Sequence, residues 1–522
     1  MAHCIRIYRS GESIHEATGE TGESLLGVIG TAGIFLDSPC GGQGKCGKCR
    51  VRLSPDGEEV LACRTLIDGD MDVYLPDNME MKIADGGARA AEATTGAETR
   101  AVAETAEKTA AGGRYGIAVD IGTTTVVAHL TDIATGARLA TASGVNAQRT
   151  YGADVISRIQ YCSDHGHEAL TQRIREQLAS LISETCEASG VSSDEITYIA
   201  IAANTIMEHL AAGYSPVGMG IVPFAPISLF GEEMAAGSDL LVAENAQIYY
   251  APAISSYVGG DITAGMLAAK LEDMQGPVVY LDIGTNGEIV LKSGDTYYCC
   301  ATAAGPAFEG AEITMGMAAI NGAINHVKWE NGLEFTVIGD SMPRGLCGSG
   351  LLDALAVLLE TGAVDETGRM LDADELEHDI AGHLGKIDGK NVFWLTKGDN
   401  AVYMTSSDIR KLQLAKSAIA AGIQTLLRNV GIEQEQVKQF VLAGGFGSFM
   451  DQYSAARIGL FPSCFLPVSQ TLGNTAGEGA AIALCSEEAR VKLGSIRERC
   501  EYIELSTSPV FNDQFVEQMM FE

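Results

Sequence analysis

Two stretches of this chain pair a carboxylate with a turn built from glycine and threonine. The first runs Tyr115-Gly-Ile-Ala-Val-Asp120-Ile-Gly122-Thr123-Thr124-Thr125-Val, and the second runs Val278-Val-Tyr-Leu-Asp282-Ile-Gly284-Thr285-Asn286-Gly287-Glu288-Ile. Each reads as an apolar strand ending in Asp, a short turn, and a second apolar strand running back. The backbone N–H groups and hydroxyls of such a turn can cradle phosphate oxygens. The carboxylate at the strand end can hold Mg²⁺, directly or through water. The plainer reading is a tight hairpin whose glycine supplies a positive φ. Two copies, facing one another across a cleft, favour nucleotide binding.

A second chemistry stands nearer the start. Cys40-Gly-Gly-Gln-Gly-Lys-Cys46-Gly-Lys-Cys49 is followed by Cys63. Three thiolates in a Gly-rich loop and a fourth from a later strand are the ligand set of a [2Fe–2S] cluster. The glycines let the loop wrap the cluster and aim N–H groups at its sulfurs. A zinc ribbon would use two Cys-x₂-Cys pairs, and only Cys46/Cys49 forms one; unligated thiols are the other alternative. The spacing Cys-x₅-Cys-x₂-Cys is one residue longer than the plant-type pattern, and it resembles the adrenodoxin-like branch of the ferredoxins. Cys4 has no companion, and the cysteines beyond Cys63 lack metal-site spacing.

These residues need elements to hold them. A chain of 522 residues is too long for one core. Residues 1–76 read as a small β-rich domain with alternating Ile5 and Ile7 and a short amphipathic helix around Leu25-Leu26-Gly-Val28-Ile29. From Asp77 to Gly113 large apolar residues nearly vanish in favour of Ala, Glu, Thr and Gly, which makes residues 77–114 a linker. From Tyr115 the composition is again that of a folded α/β protein, in two halves of about 115–272 and 273–522. The first half is predicted to carry a helix opening at Asn146, another over 168–189, a strand Tyr198–Ala202 and a helix Ile262–Glu272 after Gly259-Gly260-Asp261. His209 reads as a packed or capping histidine. The second half carries Ala304-Gly-Pro-Ala-Phe-Glu309-Gly310, an apolar helix from Gly345 to Thr361 and a long helix Lys411–Val430. Then come a strand ending in Ala443-Gly444-Gly445 and a helix opening at Gly473. A paired-glycine turn has no side chains to keep a flat base and ribose from the backbone.

Net charge is −33, so nucleic acid and anionic membrane are not expected partners. No run of about 18 apolar residues is present, the first residues lack a signal-peptide core, and a cytoplasmic location is expected.

The order phosphate turn, connecting helix, phosphate turn, connecting helix, Gly-Gly turn resembles the acetate kinase, sugar kinase, Hsp70 and actin superfamily over about 115–485. The resemblance implies a duplicated actin-like (ribonuclease H-like) α/β ATPase, preceded here by an α+β β-grasp ferredoxin domain. It implies phosphate contacts at Gly122, Thr123, Thr124, Gly284, Thr285 and Asn286, adenosine contacts at Gly444 and Gly445, and Asp120 and Asp282 near Mg²⁺. Asp261 stands where kinases of the superfamily keep a catalytic carboxylate, so it becomes the candidate for orienting the attacking water; capping its own helix is the alternative. Glu309 is a lesser candidate.

With a [2Fe–2S] domain joined to this ATPase, the whole chain resembles the reductive activators of corrinoid proteins. Asn146-Ala-Gln148…Gly152-Ala-Asp154, Ala203-Asn-Thr…His209 and Ala304–Gly310 fit that pattern. The resemblance implies ATP-dependent transfer of one electron from the cluster to the Co(II) corrinoid of a methyltransferase partner, restoring Co(I), with an external donor re-reducing the cluster. Longer members carry a further domain between linker and ATPase that this chain lacks, and homodimer formation is left open. A redox-regulated small-molecule kinase and an iron–sulfur ATP-binding sensor or scaffold are the alternative readings.

Overall fold

The computed structural model describes residues 2–9, 12–32, 34, 36, 42, 44, 49–55, 57–76, 114–339, 341–398 and 400–521. Cys40, Cys46 and the segment from Asp77 to Gly113 lie outside them.

The first unit contains β1 (Ala2–Arg9), β2 (Glu12–Glu20), α1 (Leu25–Thr31), β3 (Arg50–Arg52), β4 (Glu59–Leu61) and β5 (Met71–Tyr74). The sheet order is β2-β1-β5-β3-β4, with β1 and β5 paired in parallel. This is a β-grasp. Ser24 caps α1 by accepting the Gly27 N–H at 3.2 Å. The alternation of β1 sends Ile5 and Ile7 inward, where they are fully buried with Leu25, Val28, Ile29 and Val73.

The next half contains β6 (Tyr115–Ile121), β7 (Thr125–Asp132), β8 (Ala137–Val145), α2 (Val155–His165), α3 (Glu168–Ser189), β9 (Ile196–Ala203), α4 (Thr205–Ala212), β10 (Glu233–Ala235), β11 (Gln247–Tyr250) and α5 (Gly260–Ala268). The last half begins with β12 (Val278–Ile283), β13 (Gly287–Ser293) and β14 (Thr296–Thr302). Outer strands β15 (Ala323–Trp329), β16 (Leu333–Val337) and β17 (Gly345–Leu346) lead into α6 (Gly348–Glu360). A small sheet of β18 (Leu384–Ile387), β19 (Lys390–Trp394) and β20 (Tyr403–Thr405) precedes α7 (Ser406–Val430). The chain ends through β21 (Gln439–Ala443), α8 (Gly444–Gly447), α9 (Gln452–Arg457), β22 (Ser469–Thr471), α10 (Thr475–Cys485), α11 (Glu487–Glu498), β23 (Cys500–Tyr502) and α12 (Pro509–Glu517).

The two large sheets share one plan. Their orders are β10-β11-β9-β6-β7-β8 and β22-β21-β12-β13-β14-β23. In each, three antiparallel strands form a meander, and a parallel strand joins the free edge of the first. The duplicated actin-like fold expected from the two hairpins is the one observed. Strand β12 has no polar alternation in Val278-Val-Tyr-Leu281 because both of its faces are covered. Helix α7 packs on the second sheet against β13 and β14, α6 packs against β15 of the outer strands, and α2, α3 and α4 pack on the outer face of the first sheet.

Between the sheets lie α5 and α10, in one core with Ala118, Tyr198 and Ala200 of the first sheet and Val278 and Tyr280 of the second. The two helices meet through small residues: a Cβ on Gly479 would collide with the Ala264 carbonyl. The chain thus returns, after completing most of the second half, to cover the first. Two local expectations change. Helix α5 stops at Ala268 because Lys270 takes a left-handed φ of 51°, and Leu271–Asp273 form a separate 3₁₀ turn. Asn146 opens only a 3₁₀ turn, Ala147–Thr150, and α2 starts after Asp154, which forms a capping box with Ser157.

Candidate functional site

The first Gly-Thr turn joins β6 to β7, and polar side chains hold it from behind. Asn146 Nδ2 donates to the Gly122 carbonyl at 2.8 Å. Arg158 Nη2 donates to the Thr123 carbonyl at 2.6 Å, and its Nε donates to the Gly152 carbonyl at 3.0 Å. Asn204, the cap of α4, donates to Thr123 Oγ1 at 3.1 Å. With the carbonyls tied back into the protein, the turn offers its N–H groups to an anion. Arg158 is fully buried, and burial lowers its pKa to about 9, so it remains a cation at neutral pH. Sequence reasoning passed over Arg158; the signal was its place four residues after Asp154, one helical turn into α2.

The second turn joins β12 to β13 and is closed by the Gly284 N–H donating to the Asn286 carbonyl at 2.9 Å. Beside it lies the paired-glycine turn. Gly444 has a φ of 85°, and a Cβ there would stand 2.5 Å from Asp282 Oδ1 and 2.8 Å from the Ile283 carbonyl. Only glycine fits. A Cβ on Gly445 would meet nothing within 4 Å, so that residue borders open space, as a flat base would require.

Asp120, Asp261 and Asp282 converge. Asn474, which caps α10, donates to Asp120 Oδ2 at 2.7 Å. Burial raises Asp120 to about 7, against the Asn474 hydrogen bond and with repulsion from Asp282 added. Burial, then repulsion from Asp282 and Asp120, raises Asp261 to about 8. Burial raises Asp282 to about 6. Glu288, just after the second turn, is raised well above the usual range by burial and by repulsion from Asp261 and Asp282. Asp261 Oδ1 also accepts the Ile262 N–H at 2.9 Å, so half of the carboxylate serves the start of α5. Among the described residues no three acidic, histidine or cysteine side chains form a ready-made metal cage.

His209 is fully buried. Its Nδ1 meets the Thr205 carbonyl at 2.7 Å, and Nε2 accepts the N–H groups of Ile227 and Ser228 at 3.1 and 3.3 Å. It is a packed histidine, as expected.

In the ferredoxin-like unit, Cys49 Sγ and Cys63 Sγ stand 3.3 Å apart. The Gly42 backbone passes close enough that a Cβ would lie 3.8 Å from Cys63 Cβ. Two converging sulfurs beside Gly42 fit half of a [2Fe–2S] site; Cys40 and Cys46 would complete it.

The duplicated fold and its facing turns define the class, an actin-like ATPase. Family models agree: "C-terminal domain of RACo the ASKHA domain" matches residues 277–522 and "RACo middle region" matches 115–274. The chain is 31% identical, over 96% of both chains, to a protein of Eubacterium limosum named corrinoid activation enzyme RamQ. A [Co(II) methylated amine-specific corrinoid protein] reductase of Methanosarcina barkeri is 25% identical over 78% of this chain and 77% of its own. A solved structure described as a reductive activator for corrinoid, iron–sulfur protein superposes with a TM-score of 0.70 at 28% identity, covering 99% of this chain and 98% of that one. The chain belongs to the RACo family, the reductive activators of corrinoid proteins.

Proposed function

We propose that this chain couples ATP hydrolysis to one-electron reduction of a Co(II) corrinoid carried by a methyltransferase-system protein, returning it to Co(I). The observation that carries the reading is the union, in one chain, of two facing Gly-Thr turns with a converging cysteine pair. The relatives that match nearly end to end are named for corrinoid activation. The working parts are residues 1–76 for electron transfer, 77–114 as tether and 115–522 as ATPase, acting in the cytoplasm.

Cys40, Cys46, Cys49 and Cys63 would hold a [2Fe–2S] cluster, which when bound supplies single electrons taken from an external donor. Gly122, Thr123 and Thr124 on one side and Gly284, Thr285 and Asn286 on the other would grip the phosphates, with the buried Arg158 adding positive potential behind the first turn. Gly444 and Gly445 would leave room for the adenosine. Asp120 and Asp282 would hold Mg²⁺ with the phosphates, and its charge offsets that of the phosphates during hydrolysis. Asp261 would orient the attacking water and take its proton.

For one electron, about 59 mV corresponds to a tenfold change in equilibrium constant, or ~1.4 kcal/mol. Raising an electron through a few hundred millivolts therefore costs roughly 5–7 kcal/mol, within reach of a conformational change driven by ATP. Closure of the two halves on nucleotide is the natural candidate. The test mixes the reduced protein with candidate Co(II) corrinoid proteins, with and without Mg-ATP, and follows Co(I) absorbance. ATP-dependent Co(I) formation supports the reading. ADP release that depends on a small molecule, with no Co(I) from any partner, would favour the kinase.

A further inference from the structure

One carboxylate joins the two turns. Glu309, from the segment Pro306–Glu309 that follows β14, accepts the Thr285 hydroxyl on Oε1 at 2.6 Å and the Thr124 hydroxyl on Oε2 at 2.9 Å. The two hydroxyls belong to different halves of the ATPase, yet they converge on a single anionic group. An anion held between both turns is the geometry required of a nucleotide's terminal phosphate. Here the protein's own carboxylate fills it.

We infer that Glu309 is the residue through which the cleft distinguishes ATP from ADP: its carboxylate stands at the place of the terminal phosphate and must leave when that phosphate arrives. This rests on the reading of the two Gly-Thr turns as phosphate turns. A carboxylate and a phosphate cannot share the same two hydroxyl donors, and their like charges repel at that distance. ADP, shorter by one phosphoryl group, leaves the bridge in place. ATP removes it, and loss of the terminal phosphate lets it re-form.

The bridge is connected to the structure on either side. Phe308, adjacent to Glu309 and buried, stacks on Phe446 with ring centroids 5.7 Å apart and planes 13° from parallel. Phe446 lies within Gly444–Gly447, the turn proposed for adenosine. On the other side, the Met317 N–H donates to the Leu346 carbonyl of β17 at 2.9 Å, tying the following residues to the outer sheet. Release of Glu309 is therefore felt both at the adenosine turn and at the outer strands.

The experiment is calorimetric titration of the intact protein with Mg-ADP and with a non-hydrolysable Mg-ATP analogue, for the parent chain, Glu309→Ala, Glu309→Gln and Asp282→Asn. If the bridged state outnumbers the open one by about ten to one, apparent affinity for the analogue is reduced by that factor. Glu309→Ala should then tighten analogue binding about tenfold and leave ADP nearly unchanged. Glu309→Gln should fall between, because an amide can still accept from one threonine. Unchanged or weaker analogue binding in both Glu309 variants overturns the inference, as does equal tightening for ADP and analogue. Asp282→Asn, which does not touch Glu309, reports on the underlying reading. If it leaves both nucleotides' affinity unaltered, the cleft itself is misplaced. If it weakens them while Glu309→Ala changes nothing, only the bridge is wrong.

Discussion

Asp261 bonds the start of its own helix and is proposed to orient the attacking water, and a single substitution separates the two roles. Its Oδ1 is bonded to the Ile262 N–H, while Asp120 and Asp282 repel it across the cleft. Asparagine keeps the helix-start hydrogen bond but cannot take a proton. Asp261→Asn should lower ATP turnover by roughly a hundredfold or more with analogue affinity little changed, measured by phosphate release and calorimetry. Equal losses in both would reduce Asp261 to a cap. At Arg158, methionine keeps the bulk but leaves the Thr123 and Gly152 carbonyls without their donor. Arg158→Met should cost about 3 kcal/mol in denaturant unfolding and weaken nucleotide binding. Asp120, Asp282 and the turn glycines could be proposed from the sequence because a phosphate turn needs those residue types beside a strand end. Glu309 reads only as a lesser candidate for orienting water and Arg158 is not singled out, because their contacts are distant in sequence: Arg158 reaches Thr123 across 35 residues and Glu309 meets Thr124 across 185.

Helix α10 is the element that makes the two halves one machine. Its cap, Asn474, touches Asp120 of the first half, and Thr475 in its first turn shares a hydrogen bond of 2.8 Å with Tyr280 of the second. Asn474→Ala should cost about 1 kcal/mol as a lost cap and also remove the bond that opposes the raised pKa of Asp120. The expected result is a lower melting temperature together with weaker Mg-ATP binding, whereas a mere cap would lower only the former. The glycines of α10 permit close packing, and Gly479 lies against Ala264. Periodicity could not say which partner the helix would choose. Apolar faces identify what is buried and leave open what buries it, so the crossing from the second half to the first became visible only in three dimensions.

At the scale of the whole molecule, pH and tether length are the useful variables. Asp120, Asp261 and Asp282 have folded pKa values of about 7, 8 and 6 against an ordinary 3.8. Between those limits the native state holds protons that the unfolded chain releases, so the cluster's contribution to nucleotide-free stability falls as pH rises from about 4 to about 8. Mg-nucleotide would engage ionised Asp120 and Asp282, so the rise in melting temperature it produces should be larger at pH 8 than at pH 6, and Asp282→Asn should flatten that difference. The tether gives an independent test. If residues 77–114 act as the linker expected from the sequence, a coil of roughly 40 residues would span ~35 Å root-mean-square, and one shortened by about 25 residues only ~20 Å. Co(II) reduction should slow while ATP hydrolysis and the visible spectrum stay as they were. Cys49→Ala or Cys63→Ala should do the complementary thing, losing iron and colour while ATP binding persists.

The late return of α10 and α11 has a consequence for synthesis. A ribosome adds about 5–20 residues per second, and the described core of the N-terminal β-grasp lies within residues 5–75, so that unit can fold as soon as it emerges. The sheet of β6 and β9 cannot. The face bearing Ala118, Tyr198 and Ala200 is sealed by Ala480, Ala481 and Leu484, which are translated more than 250 residues later. Until then that apolar face waits for its cover, and a nascent chain stalled before Thr475 should bind chaperones rather than nucleotide. The ATPase is thus assembled last, after the electron-carrying domain already has its shape.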